Sequence, residues 1–356
     1  MSEVSVRARG RLPVALDAMG GDNAPGEVVL GAVQAARELG LGIILVGPEA
    51  TVRTELARHN ITGLNLEVAN ADEVIGMDEH PAEAVRAKRR NSMTVALELV
   101  RDGRAGAAVT AGNSGAMLAA SLFTLRRIPG VERPALGAVF PSANGRRCLV
   151  ADVGANTDSK PTYLVQFALM GAVYMDKVFG VPNPRVGLLS NGEEATKGDQ
   201  LTQAAHQLLK AAAGPARMNF IGNVEGRNVF DGSVDVVACD GFVGNVLLKT
   251  SEGLSRLLLG AIRGAITSNP LTIAGGLLAQ GAFGKVRREF DYEEYGGAPL
   301  LGVNGVSIIA HGRSGAKAIK SALRTASQAS AAKVPALIQD GMAAIGARAG
   351  MADAGD

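Results

Sequence analysis

Leu12-Pro13-Val14-Ala15-Leu16-Asp17 runs without a break into Ala18-Met19-Gly20-Gly21-Asp22-Asn23-Ala24-Pro25. The first six residues read as a strand. They are apolar with no alternation, the pattern of a strand covered on both faces. The loop that follows holds small residues, Asn and Asp, and ends in a proline suited to a first helical turn. The same order of strand, small polar loop and helix recurs along the chain. Further strands are expected at Gly42–Val46, Leu64–Ala69, Ala107–Thr110, Arg147–Asp152, Arg185–Leu189, Asn219–Ile221, Val234–Cys239 and Gly305–Ala310. Helical stretches separate them, which predicts a mostly parallel, doubly wound sheet in a three-layer α/β/α architecture. Ligands in such sheets bind where loops leave the carboxyl ends of the strands.

Composition narrows the function before any motif does. The chain has 356 residues, 46 of them glycine, well above the average share of about 7%. Glycine shows no three-residue period, so collagen is excluded. The 47% hydrophobic content is too high for general disorder. Two cysteines cannot build a disulfide scaffold and suit a reducing cytoplasm. The net charge of +2 and 4% aromatics argue against nucleic acid as a partner. Residues 1–11 read as a flexible basic arm, 12–345 as a single α/β/α domain with a helical arm near 250–290, and 346–356 as a flexible tail. No stretch reads as a transmembrane helix; the uncharged run Gly264–Gly284 carries Pro270 and five glycines.

Five loops at strand ends stand out. They are the one after Asp17, Ala111-Gly112-Asn113-Ser114-Gly115, Val153-Gly154-Ala155-Asn156, Asn191-Gly192-Glu193-Glu194-Ala195-Thr196-Lys197-Gly198, and Asp240-Gly241-Phe242-Val243-Gly244-Asn245. Each ends a strand and opens a helix, pointing backbone N–H groups and a positive helix terminus toward a phosphate or carboxylate. Tight turns also use Gly and Asn for steric reasons alone. None of the loops fits the G-x-G-x-x-G or G-x-x-x-x-G-K-[ST] patterns, so dinucleotide and nucleotide-hydrolase chemistry is disfavoured.

Other chemistries lack their parts. His59, His80, His206 and His311 are scattered and no Cys/His cluster exists, so neither a metal nor a cofactor is expected. His59 and His206 read as structural or solvated. His311, at a strand end before Gly312, either borders the site or serves structure. Cys148 and Cys239 fall in or beside strands and read as buried, inert thiols. No G-x-S-x-G elbow is present. Lys88, Arg89 and Arg90 precede Asn91-Ser92, which reads as a helix cap. What remains is a site of amides, backbone N–H groups and cations that stabilises developing negative charge.

Together the loops resemble the phosphate acyltransferases of bacterial phospholipid synthesis. The matching segments are Ala15–Asp22, Ala111–Ala116, Asp152–Asn156, Asn191–Glu194 with Lys197-Gly198, Cys239–Val246 and Ala310–Gly312, in the family's order, from about Leu12 to Ser330. Ser114 stands where threonine is more usual, and Gly315 where a small polar residue is. The resemblance implies a fold related to isocitrate dehydrogenase and phosphotransacetylase, a homodimer, and no cofactor. It implies acyl transfer from acyl-acyl carrier protein to inorganic phosphate, giving acyl phosphate for a downstream glycerol-3-phosphate acyltransferase. On this reading Lys197 and Asn245 are catalytic, and Asp17, Gly20, Gly21, Asn113, Ser114, Asn156 and His311 shape the phosphate or substrate site. Asp17 and Asp22 order their loop rather than meet phosphate, since like charges repel. Two other functions stay open: an acetyl-CoA phosphotransacetylase and a non-catalytic membrane scaffold.

The uncharged stretch has two readings. Lys249, Arg256 and Arg263 fall seven apart on one side of a helix leading into it, and Leu271, Leu277 and Leu278 follow. One reading is a helical hairpin against the dimer partner. The other, favoured by the resemblance, is an amphipathic arm through which a cytoplasmic protein touches anionic membrane or the acidic carrier protein.

Overall fold

A computed structural model describes residues 11–289 and 296–353, with side chains not described for 285–289 and 347–353. The strands are β1 (Val14–Asp17), β2 (Ile43–Gly47), β3 (Leu66–Asn70), β4 (Ala107–Thr110), β5 (Ala135–Ser142), β6 (Arg146–Ala151), β7 (Arg185–Leu189), β8 (Asn219–Val224), β9 (Val236–Ala238), β10 (Ala298–Leu301) and β11 (Ser307–Ile309). The helices are α1 (Gly26–Leu39), α2 (Glu49–Leu56), α3 (Pro81–Ala87), α4 (Ser92–Arg101), α5 (Ser114–Thr124), α6 (Pro161–Phe179) and α7 (Gln200–Ala213). They continue as α8 (Asn228–Asp231), α9 (Gly241–Ile266), α10 (Pro270–Leu278), α11 (Gln280–Glu289), α12 (Ala316–Ala331) and α13 (Val334–Asp353). The basic arm expected at the N-terminus lies outside the described residues apart from Arg11. The segment expected to be a tail from residue 346 continues α13 as helix to Asp353.

All the strands join one sheet in the order β3-β2-β1-β4-β11-β10-β5-β6-β9-β7-β8. The runs without alternation are the buried ones. Every residue of β1, β2 and β4 is buried. Val14, Leu16, Ile43 and Leu45 face a core shared with α1, α6 and α12, while Ala15, Ile44 and Val46 face a second core against α4 and α5. Side chains alternate across a strand, so a run apolar throughout fills both layers. The third core, around Phe140, Cys148, Val150 and Val237, serves the later strands.

The sheet is less uniform than expected. β10 is antiparallel to both β11 and β5, and β5 is antiparallel to β6. Three successive reversals leave β6, β9, β7 and β8 running opposite to β3, β2, β1, β4 and β11. The carboxyl ends of the two parallel sets are therefore oppositely directed. β5 and β10 were not anticipated from the sequence. β5 is rich in small residues and holds Pro141, β10 is short with Pro299 inside it, and neither has a local signal for its distant partner.

The helical arm is present. Of the 26 residues of α9 only Gly241 and Gly244 are buried, with Leu247 and Leu248 packed partly buried against the third core, so the helix leaves the body after its second turn. Lys249 and Arg256 share Glu252 at 3.1 and 3.3 Å. Asn269 and Thr272 form a capping box that starts α10 after the turn. Leu257, Leu271, Leu277 and Leu278 stand exposed, Leu278 at 91%. Among the described residues no helix is long and apolar enough to cross a membrane.

Asn91 is the cap the sequence announced. Buried at the start of α4, it accepts from Thr94 N at 2.8 Å and donates to the Lys88 carbonyl at 2.6 Å. Replacing Asn91 by Ala removes both bonds and is expected to cost about 2 kcal/mol, read as a lower urea midpoint at unchanged slope.

Candidate active site

Because the strands reverse, the candidate loops form two clusters rather than one. The first gathers the loops after β1, β4 and β11. Asp17, buried at the end of β1, accepts from Thr110 Oγ1 at 2.7 Å and from Met19 N at 3.0 Å. Burial pushes its carboxyl pKa up, against hydrogen bonds from Ser92, Thr110, Met19 and Gly20 that pull it down. Gly20 lies so close that a Cβ there would come within 2.7 Å of Thr110 Oγ1 and Gly112 N. The loop is stitched to the segment after β11: Asp22 N donates to the Gly312 carbonyl at 2.8 Å, and Asn23 Nδ2 to that of Arg313 at 3.2 Å. Gly21 adopts φ +101 at this seam. Ser114 opens α5 at the surface, and exposed His311 accepts from Arg313 N at 3.2 Å.

The second cluster gathers the loops after β6, β7 and β9. Its centre is the Asp152 carboxylate, wholly buried and met by five N–H donors. Leu136 N, Gly154 N and Ala155 N reach Oδ1 at 2.8, 3.2 and 3.0 Å. Asn156 N and Nδ2 reach Oδ2 at 2.7 and 2.9 Å. Burial pushes this carboxyl up as well, opposed by those donors. The start of α9 packs directly on it: a Cβ at Gly241 would strike the Asn156 carbonyl, and one at Gly244 the Asp152 carbonyl. That close approach carries Asn245 to a place over Gly154, whose φ is +139. Since β7 pairs with β9 and β9 with β6, the Lys197 loop opens on the same side.

This geometry revises how the loops act. Much of their Asn and Asp content serves to cap, not to leave N–H groups open for an anion. Asn113 Oδ1 accepts from Ala116 N at 3.0 Å, while its Nδ2 donates to the Met77 and Glu79 carbonyls at 3.1 and 3.2 Å. Asp199 caps α7, and Asp240 caps α9. Asn156 spends its amide on Asp152 and the Pro134 carbonyl. The side-chain amides of Asn113 and Asn156 are thus taken by the protein itself. Lys197 and Asn245 differ: both are exposed, and among the described residues neither the ammonium nor the amide has a partner. The Lys197 stem lies along Gly192, where a Cβ would sit 2.8 Å from Lys197 Cγ.

Other expectations resolve simply. Cys148 and Cys239 are buried, and burial pushes both thiols well above the usual range, so neither is a nucleophile. Lys88 pairs with Glu79 at 2.5 Å. Sequence reasoning missed the grip of Asn223 on the Lys197 loop. Asn223 sits near the end of β8 with no motif around it, and only the fold brings it to the loop.

Comparison with known proteins follows the same lines. The profile of a family described as fatty acid synthesis protein matches residues 12–337. A phosphate acyltransferase from Trichlorobacter lovleyi is 52% identical over 313 residues, 88% of this chain and 89% of the relative. One from a Geobacter species is 54% identical over 88% of each. Among solved structures, a phosphotransacetylase from Streptococcus pyogenes shares the fold, with a TM-score of 0.62 and 18% identity over 92% of this chain and 99% of that one.

Asp152→Asn places an amide N–H₂ against backbone N–H groups. It is expected to destabilise the fold by about 2–4 kcal/mol, measured as a drop in the denaturant midpoint. The profile match and the identity to these relatives along most of the sequence establish that the chain belongs to the fatty acid synthesis protein family, beside the phosphate acyltransferases.

Proposed function

We propose that this acyltransferase moves a long-chain fatty acyl group from acyl-acyl carrier protein to inorganic phosphate, feeding phosphatidic acid and phospholipid synthesis. Acyl transfer to phosphate in lipid synthesis is the activity of the family to which the chain belongs. The observation that carries the finer reading is that Lys197 and Asn245, on segments leaving the same end of the parallel set, are exposed with no partner among the described residues, while Asp152 and Asn156 are engaged by the protein itself.

The chemistry needs little more. Hydrogen phosphate is already an anionic nucleophile at neutral pH, so no strong base is required. Its oxygen attacks the thioester carbonyl, forming a C–O bond and a tetrahedral oxyanion. Collapse breaks the C–S bond, and the proton that phosphate brought leaves with the carrier thiol. Lys197 neutralises phosphate or the oxyanion, and the Asn245 amide donates to one of them. Asn156 and Asp152 hold the loop beneath Asn245. The first cluster is assigned to substrate binding through Gly20, Gly21, Ser114 and His311, with Asp17 and Asn113 ordering its loops. Phosphate-dependent release of carrier thiol from long-chain acyl-acyl carrier protein tests this reading. Lys197→Ala and Asn245→Ala are each expected to lower turnover roughly 100-fold, about 2.7 kcal/mol of transition-state stabilisation, with unchanged thermal unfolding. Turnover with acetyl-CoA alone supports the phosphotransacetylase reading instead, and none with either donor supports a scaffold.

The arm supports the rest of the reading: a homodimer in the cytoplasm whose α9–α11 hairpin rests on anionic membrane or the acidic carrier protein, handing acyl phosphate to a glycerol-3-phosphate acyltransferase. Exposed Leu271, Leu277 and Leu278 supply apolar contact, and Arg256 and Arg263 supply positive charge. Lys285, Arg287 and Arg288, which close the stretch, lie where side chains are not described. Leu277→Asp combined with Leu278→Asp is expected to abolish sedimentation with anionic liposomes; unchanged sedimentation argues for the partner subunit as the surface met.

A further inference from the structure

Lys197 sits on an exposed turn between β7 and α7, so something must hold that turn for the ammonium to act at a defined point. We infer that His206 and Asn223 are positioning residues that fix the Lys197 loop, an inference that rests on the role given to Lys197 above. Asn223, 5% exposed near the end of β8, donates Nδ2 to the Glu194 carbonyl at 2.9 Å. The same carbonyl accepts the backbone N–H of Lys197 at 3.0 Å. One oxygen therefore joins the turn that carries Lys197 to a side chain rooted in the sheet.

The Asn223 amide is itself held in one orientation. A carbonyl oxygen can only accept, so the amide nitrogen must face Glu194 and the amide oxygen must face the other way. There it meets His206 Nδ1 at 2.8 Å, which must carry a hydrogen. His206, 8% exposed on α7, stands edge-on to Phe220 with ring centroids 5.4 Å apart, which fixes the plane of the imidazole. The His206–Asn223 bond is buried and the Asn223–Glu194 bond partly so, and both hold better than the exposed ones. Gly198 N to Asn191 Oδ1 at 2.9 Å, and Gln203 Nε2 to the Thr196 and Gly198 carbonyls at 2.9 and 3.0 Å, are open to solvent competition. His206 and Asn223 lie behind the loop, where they act through Lys197 and not on substrate.

The test is a double-mutant cycle on the full chain, read as phosphate-dependent release of carrier thiol from long-chain acyl-acyl carrier protein. Asn223→Asp keeps the size and the acceptor toward His206 but has no N–H for the Glu194 carbonyl. His206→Phe keeps the ring against Phe220 but has no N–H for Asn223. Each is expected to lower turnover roughly tenfold at a temperature well below its own thermal midpoint, and to have no further effect once Lys197 is Ala. Penalties that multiply in the double variants show general support of the fold; they overturn the positioning role and leave the role of Lys197 standing. Wild-type turnover in both single variants also overturns it. Wild-type turnover in Lys197→Ala alone removes the role of Lys197 and the positioning with it. If Asn223→Asp does not fold, His206→Phe decides by the same cycle, and failure of both to fold overturns the proposal.

Discussion

Asp152, a buried carboxylate with no cation beside it among the described residues, is the constraint around which the later half of the molecule is arranged. Its five N–H donors come from the loop it begins and from Leu136 at the start of β5. Taking such a charge out of water is costly, and a full set of donors is what offsets that cost. The loop after β6 consequently has one conformation, and β5 is pinned beside β6 in antiparallel register. The start of α9 then packs so close that Gly241 and Gly244 have no room for a side chain. Asn245 owes its place to that approach.

Asp17 plays the matching part in the first half. It too ends a buried strand, takes its donors from a glycine-bearing loop and ties in a neighbouring strand, here through Thr110. Both carboxylates act on backbone, so their contribution to chemistry is indirect. The groups left with open valence for a substrate are few, which suits a reaction whose nucleophile arrives already charged. An exposed ammonium and amide on a rigid base can stabilise an oxyanion without a strong general base or an activated thiol.

The arm follows a different physical rule. Past Leu248, α9 has left the body and relies on its own hydrogen-bond ladder and on α10 packed back against it. Leucines at 83% and 91% exposure, Leu271 and Leu278, are an apolar surface a soluble monomer rarely leaves uncovered. Basic residues along α9 set the sign of charge beside that surface.

The sequence by itself determined the layered α/β class, because fully buried strands need unbroken apolar runs and those are visible locally. It also determined the cap at Asn91 and the burial of both cysteines. Only the tertiary structure decided how the loops divide. β5 and β10 carry prolines and small residues, and their antiparallel pairing is chosen by partners far along the chain, so the reversal of the sheet has no local trace. For the same reason the sequence could not tell an amide that binds a ligand from one that caps a helix. Asn113, Asn156 and Asn245 look alike in a loop; which of them has its hydrogen bonds taken by the protein depends on what the fold brings within about 3 Å.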